Sequence, residues 1–320
     1  MDSKKSIWSW REILESKIEE PPALIKGFLY EMDNLIILGD AKTGKSLFTM
    51  QLALSLSSGE SFLDSLNVTK PCKVIYVQAE GKMFETIPRG KKMCKEVPYN
   101  ADNIKWIYLP TFPMDRPDSV NIFLKKAGDF KPDVIIFDPL YKLASSGSLT
   151  QDDVANAITN NLDILKVHFS AAIVLNHHQH RPQREKTTGT VVNMSGDQSI
   201  FGSFVWRAWP DNIILFESVP KHKHMKRISC DTQRSASVIP EMCVVLIQPD
   251  PLYWELLEDM TATDHMILQL IKKHKVMSWE EIAETTGLAK STVHKCLRNL
   301  RKQKKIKALE EPGVYGVVLE

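Results

Sequence analysis

Leu35-Ile36-Ile37-Leu38-Gly39-Asp40-Ala41-Lys42-Thr43-Gly44-Lys45-Ser46 is the stretch from which the rest of the chain can be read. An apolar run ends in a glycine, and Gly44-Lys45-Ser46 then opens a helical pattern through Leu47. The spacing is that of a phosphate-binding loop, G-x-x-x-x-G-K-S, between a strand and a helix. Glycines without Cβ let the backbone turn its N–H groups towards phosphate oxygens, and the helix start adds its positive dipole end. The expected nucleotide cradle is therefore Gly39, Asp40, Ala41, Lys42, Thr43, Gly44, Lys45, Ser46 and Leu47. Lys45 reaches the outer phosphates and the Ser46 hydroxyl ligates Mg²⁺, so ATP with Mg²⁺ is the implied pair.

Around this stretch, apolar runs recur at 73–77, 104–108, 134–137, 172–176, 212–217 and 241–247. Helical patterns lie between them at 46–57, 83–95, 119–128 and 151–168. Continuous apolar strands interleaved with helices predict an α/β fold with a mostly parallel sheet covered on both faces. Ligands in such sheets bind beyond the C-terminal strand ends, which directs attention to the residue following each run. Asp138 follows 134–137 and is the expected carboxylate on the hydrated metal. Glu80 follows 73–77 in Gln78-Ala79-Glu80-Gly81 and has the position of a general base for the attacking water. The run 172–176 ends in Asn176-His177-His178-Gln179-His180. Its three histidines have no cysteine or carboxylate near them in sequence to complete a zinc site. His178 or Gln179 is read instead as a sensor that bonds the γ-phosphate and moves the loop behind it.

With 320 residues, two domains are expected. The divisions read from composition are an N-terminal amphipathic helical segment at 1–21, an ATPase core at 22–248, a linker at 249–261 and a tail at 262–320. Residues 252–260 read as a linking helix, and 181–199 as a long loop. The hydrophobic and charged fractions, 43% and 25%, are those of a soluble globular chain. No apolar run approaches the roughly 18 residues of a membrane span. The five scattered cysteines suit a reducing compartment, so a cytoplasmic protein with no membrane partner is expected.

The tail reads as a winged helix: a helix with Met266, Ile267, Leu270 and Ile271 on one face, a capping box Ser278…Glu281, a turn at Gly287, a second helix over 289–303, and a terminal hairpin. From Lys290 to Lys307 there are eight lysines and arginines and no acidic residue, which suits a polyanion. Ser291, Thr292, His294, Lys295 and Arg298 are the expected DNA contacts. A protein-docking module and a plain structural cap remain alternatives at this level.

Taken together, these motifs resemble RecA-fold P-loop motor ATPases, most closely the RepA-like hexameric replicative helicases of plasmids and phages. The resemblance runs from about Pro22 to Val245. It rests on residues 39–46, Glu80, Asp138-Pro139-Leu140, His177-His178, and the segment Gly202-Ser203…Arg207-Ala208-Trp209. It implies a homo-oligomeric ring with ATP between subunits and Arg207 as the arginine finger. Lys221, Lys223 and Arg234 are further candidates for that duty. It also implies that 181–199 lines a pore, with Arg181, Arg184 and Lys186 on single-stranded DNA. That loop has no aromatic residue on which bases can stack, and the winged tail is an addition to the family's pattern. A regulator or recombination mediator that uses ATP to control assembly on DNA is therefore the second reading.

Overall fold

The structure, a computed structural model, describes residues 7–16, 21–145, 148–179, 183–184, 191–192, 200–219, 222–233, 239, 241–257, 262–309 and 313–318. The chain opens with α1 (Trp10–Glu15), β1 (Ala23–Ile25), β2 (Leu29–Tyr30), β3 (Asn34–Gly39) and α2 (Lys45–Ser58). It continues through β4 (Val74–Gln78), α3 (Met83–Met93), β5 (Ile104–Tyr108), α4 (Ser119–Ala127) and β6 (Val134–Asp138). Next come α5 (Asp152–Phe169), β7 (Ala172–His178), β8 (Gln183–Arg184), β9 (Val191–Val192) and α6 (Val205–Ala208). The core closes with β10 (Asn212–Val219), β11 (His222–Gln233), β12 (Met242–Ile247) and β13 (Tyr253–Leu256).

Among the described residues, the central sheet has nine strands in the order β13-β12-β11-β10-β3-β7-β6-β4-β5. Strands β10, β3, β7, β6, β4 and β5 pair in parallel, and β11 to β13 continue the sheet antiparallel. Every residue of β3, β4 and β6 is buried. That is why the runs 35–38, 74–77 and 134–137 within them are continuously apolar rather than alternating. Side-chain parity divides the core in two. Leu35 and Ile37 meet Phe48 and Leu52 of α2, while Ile36 and Leu38 meet Ile158 and Leu162 of α5. The same parity puts Tyr76, Val134, Ile136 and Val174 on the α2 side.

Several expectations are corrected. The linking helix expected at 252–260 does not form over its described part: 253–256 are a strand on the edge of the main sheet, with Val245 opposite Glu255 and Leu246 opposite Trp254. The run LYWELL fits either period, and the open edge of β12 decides for the strand. The expected linker thus begins as part of the core: Lys95 bonds Asp250 at 2.7 Å, and Leu257 is buried. The N-terminal helix covers Trp10–Glu15 only, started by the reciprocal cap of Ser9 and Glu12, with no buried residue. His177 and His178 lie within β7 rather than after it. Within 181–199, Gln183–Arg184 and Val191–Val192 form a short antiparallel pair.

The tail is a separate packing unit of α7 (Ala262–His274), β14 (Val276–Ser278), α8 (Trp279–Thr286), α9 (Lys290–Lys302), β15 (Ile306–Ala308) and β16 (Val314–Val317). Its three-stranded sheet has the order β14-β16-β15. Its core joins Ile267, Leu268 and Ile271 of α7 to Val293, Cys296, Leu297 and Leu300 of α9. Of the expected α7 face Met266, Ile267, Leu270 and Ile271, Ile267 and Ile271 are in this core with Leu270 packed against it, and Leu268 joins them as an inward residue that the face did not contain. No described helix is long and apolar enough to cross a membrane.

Candidate nucleotide site and nucleic-acid interface

The phosphate loop leaves β3 at Gly39, the central parallel strand, and enters α2 at Lys45. Gly44 caps α2 in the left-handed region, φ 101°, and has no side chain to bond the first-turn N–H groups. A positively polarised helix start without a side-chain acceptor suits phosphate chemistry. Thr43 Oγ1 donates to the Asp40 carbonyl at 2.9 Å and closes the loop on itself. Lys45 is buried, and its Nζ donates to the carbonyls of Gly39 and Asp40, both at 2.7 Å. Burial pushes the Lys45 pKa down to about 8, against the opposing pull of Asp138, Asp40 and Glu80. Ser46, one residue on, is exposed at the mouth of the loop, and Leu47 packs between two apolar clusters.

Asp138 is the last residue of β6, and its carboxylate is nearly buried. Its Oδ2 accepts from the Tyr76 hydroxyl at 2.8 Å. The Tyr76 hydroxyl lies 2.9 Å from Thr49 Oγ1, and Thr49 Oγ1 accepts from Asn176 Nδ2 at 2.9 Å. With the phenol proton committed to Asp138, donation runs Asn176 → Thr49 → Tyr76 → Asp138, from β7 through α2 and β4 to β6. Chains of this kind polarise each member in turn and hold the final acceptor in one orientation. Trp106 stacks on Tyr76 with ring centres 4.0 Å apart and planes 7° apart, which fixes the phenol. Burial raises the Tyr76 pKa well above its ordinary value, so the hydroxyl stays a donor.

Glu80 follows β4 and is exposed. Its main chain is held by Gln78, whose Nε2 donates to the Glu80 carbonyl at 2.8 Å and to Thr86 at 2.9 Å. Trp106 Nε1 in turn donates to Gln78 Oε1 at 3.0 Å. The Tyr141 phenol lies near Glu80; burial, then the Glu80 charge, push the phenol up to about 12. Tyr141 also lies against His178, with ring centres 5.8 Å apart. His178 Nδ1 stands 3.5 Å from Lys45 Nζ. Burial, then the Lys45 charge, lower the His178 pKa, which favours the neutral ring. His177 faces the other side of β7, with Nε2 2.6 Å from the Phe201 carbonyl and its ring against Trp206.

Lys45, Glu80, Asp138 and His178 therefore gather at the C-terminal ends of β3, β4, β6 and β7. Arg207 does not join them. It sits on α6, just before β10, whose first residue pairs with Leu35 at the opposite end of β3 from Gly39. Arg181, Lys186, Lys221 and Arg234 lie outside the described residues, and of Arg184 only the main chain is described. Lys223 is exposed on β11. Tyr76, Thr49, Asn176 and Tyr141 were not anticipated from sequence. Parity could have found two of them: in the covered strands Tyr76 and Asn176 share the α2-facing side with Asp138 and His178.

In the tail, α8 starts from the expected cap, with Glu281 N donating to Ser278 Oγ at 3.2 Å and Ser278 N to Glu281 Oε2 at 2.7 Å. Helix α9 buries its apolar stripe and exposes Ser291, Lys295 and Arg298, with Thr292 and His294 half-buried. Lys290 Nζ lies 4.3 Å from the centre of the Trp279 ring, and His294 packs on the same ring at 5.0 Å. Burial raises the Glu255 pKa, and Lys272 and Lys305 of the tail pull it back down, so these two lysines lie near β13.

The AAA domain family model matches residues 3–184, and the winged helix-turn-helix DNA-binding model matches residues 260–307. A comparison with curated proteins finds no match. Among solved structures, a KaiC-like protein of the hyperthermophilic archaeon Pyrococcus horikoshii is similar at 12% identity and a TM-score of 0.49, over 73% of this chain and 93% of that one. With its strand-to-helix phosphate loop, its mostly parallel sheet and a family match spanning more than half of its length, the chain belongs to the AAA domain family, as a RecA-like P-loop ATPase with a C-terminal winged helix-turn-helix.

Proposed function

We propose that this chain is an Mg²⁺- and ATP-dependent DNA motor that works as a ring, of the kind that serves as replicative helicase for a plasmid, phage or other mobile element. The observation that carries the proposal is the meeting of Lys45, Glu80, Asp138 and His178 at neighbouring strand ends, in a chain that also presents a basic winged helix. Lys45, now held by two loop carbonyls, supplies the cation for the outer phosphates, and the first-turn N–H groups of α2 bond their oxygens. Asp138, oriented by Tyr76, and Ser46 hold the metal. When bound, Mg²⁺ neutralises charge that develops on the phosphate oxygens. Glu80, just beyond the end of β4, accepts the proton of the attacking water. His178 donates to the γ-phosphate and reports its loss through β7 to the 181–199 segment. Arg207, remote from its own loop, reaches the neighbouring subunit's phosphate. Arg181, Arg184 and Lys186 contact single-stranded DNA, and Ser291, Thr292, His294, Lys295 and Arg298 contact duplex.

Steady-state ATP hydrolysis with and without single-stranded DNA, with Lys45→Ala as blank, tests the proposal. Strong stimulation followed by unwinding of a forked duplex is the expected result. Hydrolysis that DNA leaves unchanged removes the motor. The winged-helix match supports a second reading, an ATP-switched DNA-binding regulator. Sequence-specific duplex binding by the full chain, with slow hydrolysis and no unwinding, would establish that reading instead.

A further inference from the structure

Strand β13 has no assigned role in the nucleotide site, yet it touches the phosphate loop. Gln51, in the second turn of α2, bonds both main-chain groups of Trp254: Trp254 N donates to Gln51 Oε1 at 2.6 Å, and Gln51 Nε2 donates to the Trp254 carbonyl at 2.8 Å. The side-chain amide thus acts as a strand neighbour for β13 and fastens it to the helix that carries Lys45 and Ser46. Tyr253 packs beside it against Met50 and Leu54 of α2 and Met93 of α3.

The Trp254 indole points at the loop itself. A Cβ on Gly44 would stand 2.6 Å from Trp254 Cζ2, and a Cβ on Gly39 would collide with the Phe216 carbonyl. The Phe216 and Trp254 rings meet edge to face, with centres 5.2 Å apart. Gly44 is therefore backed by the Trp254 ring, and Gly39 by the main chain of Phe216, whose ring packs on that indole. The indole Nε1 is buried without a hydrogen-bond partner among the described residues, so packing sets the ring's position. That packing reaches Gly44 at its left-handed φ of 101°, the hinge between loop and helix.

We propose that Trp254 is a positioning residue for the phosphate loop, its indole bracing Gly44 so that the first-turn N–H groups of α2 are presented in a fixed arrangement. The inference rests on the nucleotide-site reading and is independent of the motor. Gly44 needs to lack a Cβ on two counts here: its φ, and the ring behind it. A residue that merely fills the core would lower thermal stability when trimmed and leave the affinity of the folded protein for nucleotide unchanged. A brace moves affinity in a protein that is still folded.

The test is equilibrium titration of a fluorescent ADP analogue, with Mg²⁺, into full-length wild type, Trp254→Leu and Trp254→Phe, alongside melting temperatures and steady-state hydrolysis. Trp254→Leu is expected to raise Kd and KM at least tenfold with a smaller change in kcat. Trp254→Phe keeps an aromatic partner for Phe216 but falls short of Gly44, so its rise in Kd should be intermediate. Wild-type tryptophan fluorescence should change on nucleotide binding, and Trp254→Phe should lose much of that change. An unaltered Kd in the folded Phe variant overturns the inference, even where the Leu variant fails to fold. Wild type that binds no nucleotide sinks the nucleotide-site reading as well, whereas normal binding by wild type and both variants sinks the brace alone.

Discussion

The strand-end site of the core and the basic face of the winged helix contrast in how each holds its functional side chains. At the strand ends the polar groups are few, and the two buried ones are each fixed by a neighbour: Lys45 by two carbonyls and Asp138 by Tyr76. On α9 the candidate contacts Ser291, Lys295 and Arg298 are exposed, while His294 and the flanking Lys290 rest on the Trp279 ring. A site for chemistry depends on preorganised geometry, so a single lost bond should be costly. A surface that meets a phosphate backbone depends on summed charge, so single losses should be small and salt-dependent. Substitutions in the two regions should therefore differ in the size of their effects.

The largest effects belong to the strand ends. Lys45→Ala should abolish hydrolysis, and Glu80→Gln should lower turnover by about 10²–10⁴-fold, the usual range for loss of a general base. Glu80→Gln should still bind nucleotide in a fluorescence titration, which separates chemistry from binding. Full turnover by Glu80→Gln would remove the role given to Glu80.

Tyr76→Phe comes next. It deletes one hydroxyl from the chain that ends on Asp138 and leaves the stack on Trp106 in place. Loss of a group that orients a metal ligand commonly costs about 10–100-fold in metal affinity or activity. The Mg²⁺ concentration needed for tight nucleotide binding should rise by that order, with less change in metal-free binding. An unchanged Mg²⁺ dependence would reduce the chain to core hydrogen bonding.

The pH dependence follows from Lys45, whose pKa is lowered by burial to about 8 from 10.5. Above pH 8 the folded, nucleotide-free protein loses this proton and phosphate binding must restore it, so affinity should fall as pH rises. The limiting slope is about tenfold per pH unit for a single proton. For folding the sign is opposite: between about 8 and 10.5 the unfolded chain binds more protons, so this group favours the fold as pH rises. Lys45→Arg, charged throughout, should show no such fall in its residual binding across pH 7–9.5.

The smallest effects belong to the winged helix. Arg298→Ala or Lys295→Ala should weaken DNA binding a few-fold and lower the salt slope by about one per lost phosphate contact. Hydrolysis without DNA should be unchanged. A hundredfold loss from either single variant would mean that α9 reads bases through a small number of strong contacts, and would erase the contrast drawn above.

Much of the core was legible in the chain. The run 35–38 followed by Gly39 and Gly44-Lys45-Ser46 could be read because phosphate binding demands a particular backbone and a particular cation at one spacing. Asp138 and Glu80 could be read because parallel sheets place chemistry after their strands. The cap Ser278…Glu281 was legible for the same local reason: its two hydrogen bonds lie within one turn. What escaped was contact made across the fold. Tyr76, Thr49 and Asn176 belong to three separate elements and meet only when β4 and β7 flank β6 with α2 across their common face. Trp254 stands 210 positions after Gly44, in a segment whose local pattern suits a helix as well as a strand, and no spacing rule links the two. Sequence alone determined the phosphate loop, the parallel α/β core and the winged tail, because each is written in short-range pattern. Tertiary structure alone decided which neighbours stand around Asp138, Glu80 and Gly44. Those contacts follow from strand order and from an edge strand folding back on α2, both set by the packing of the whole core.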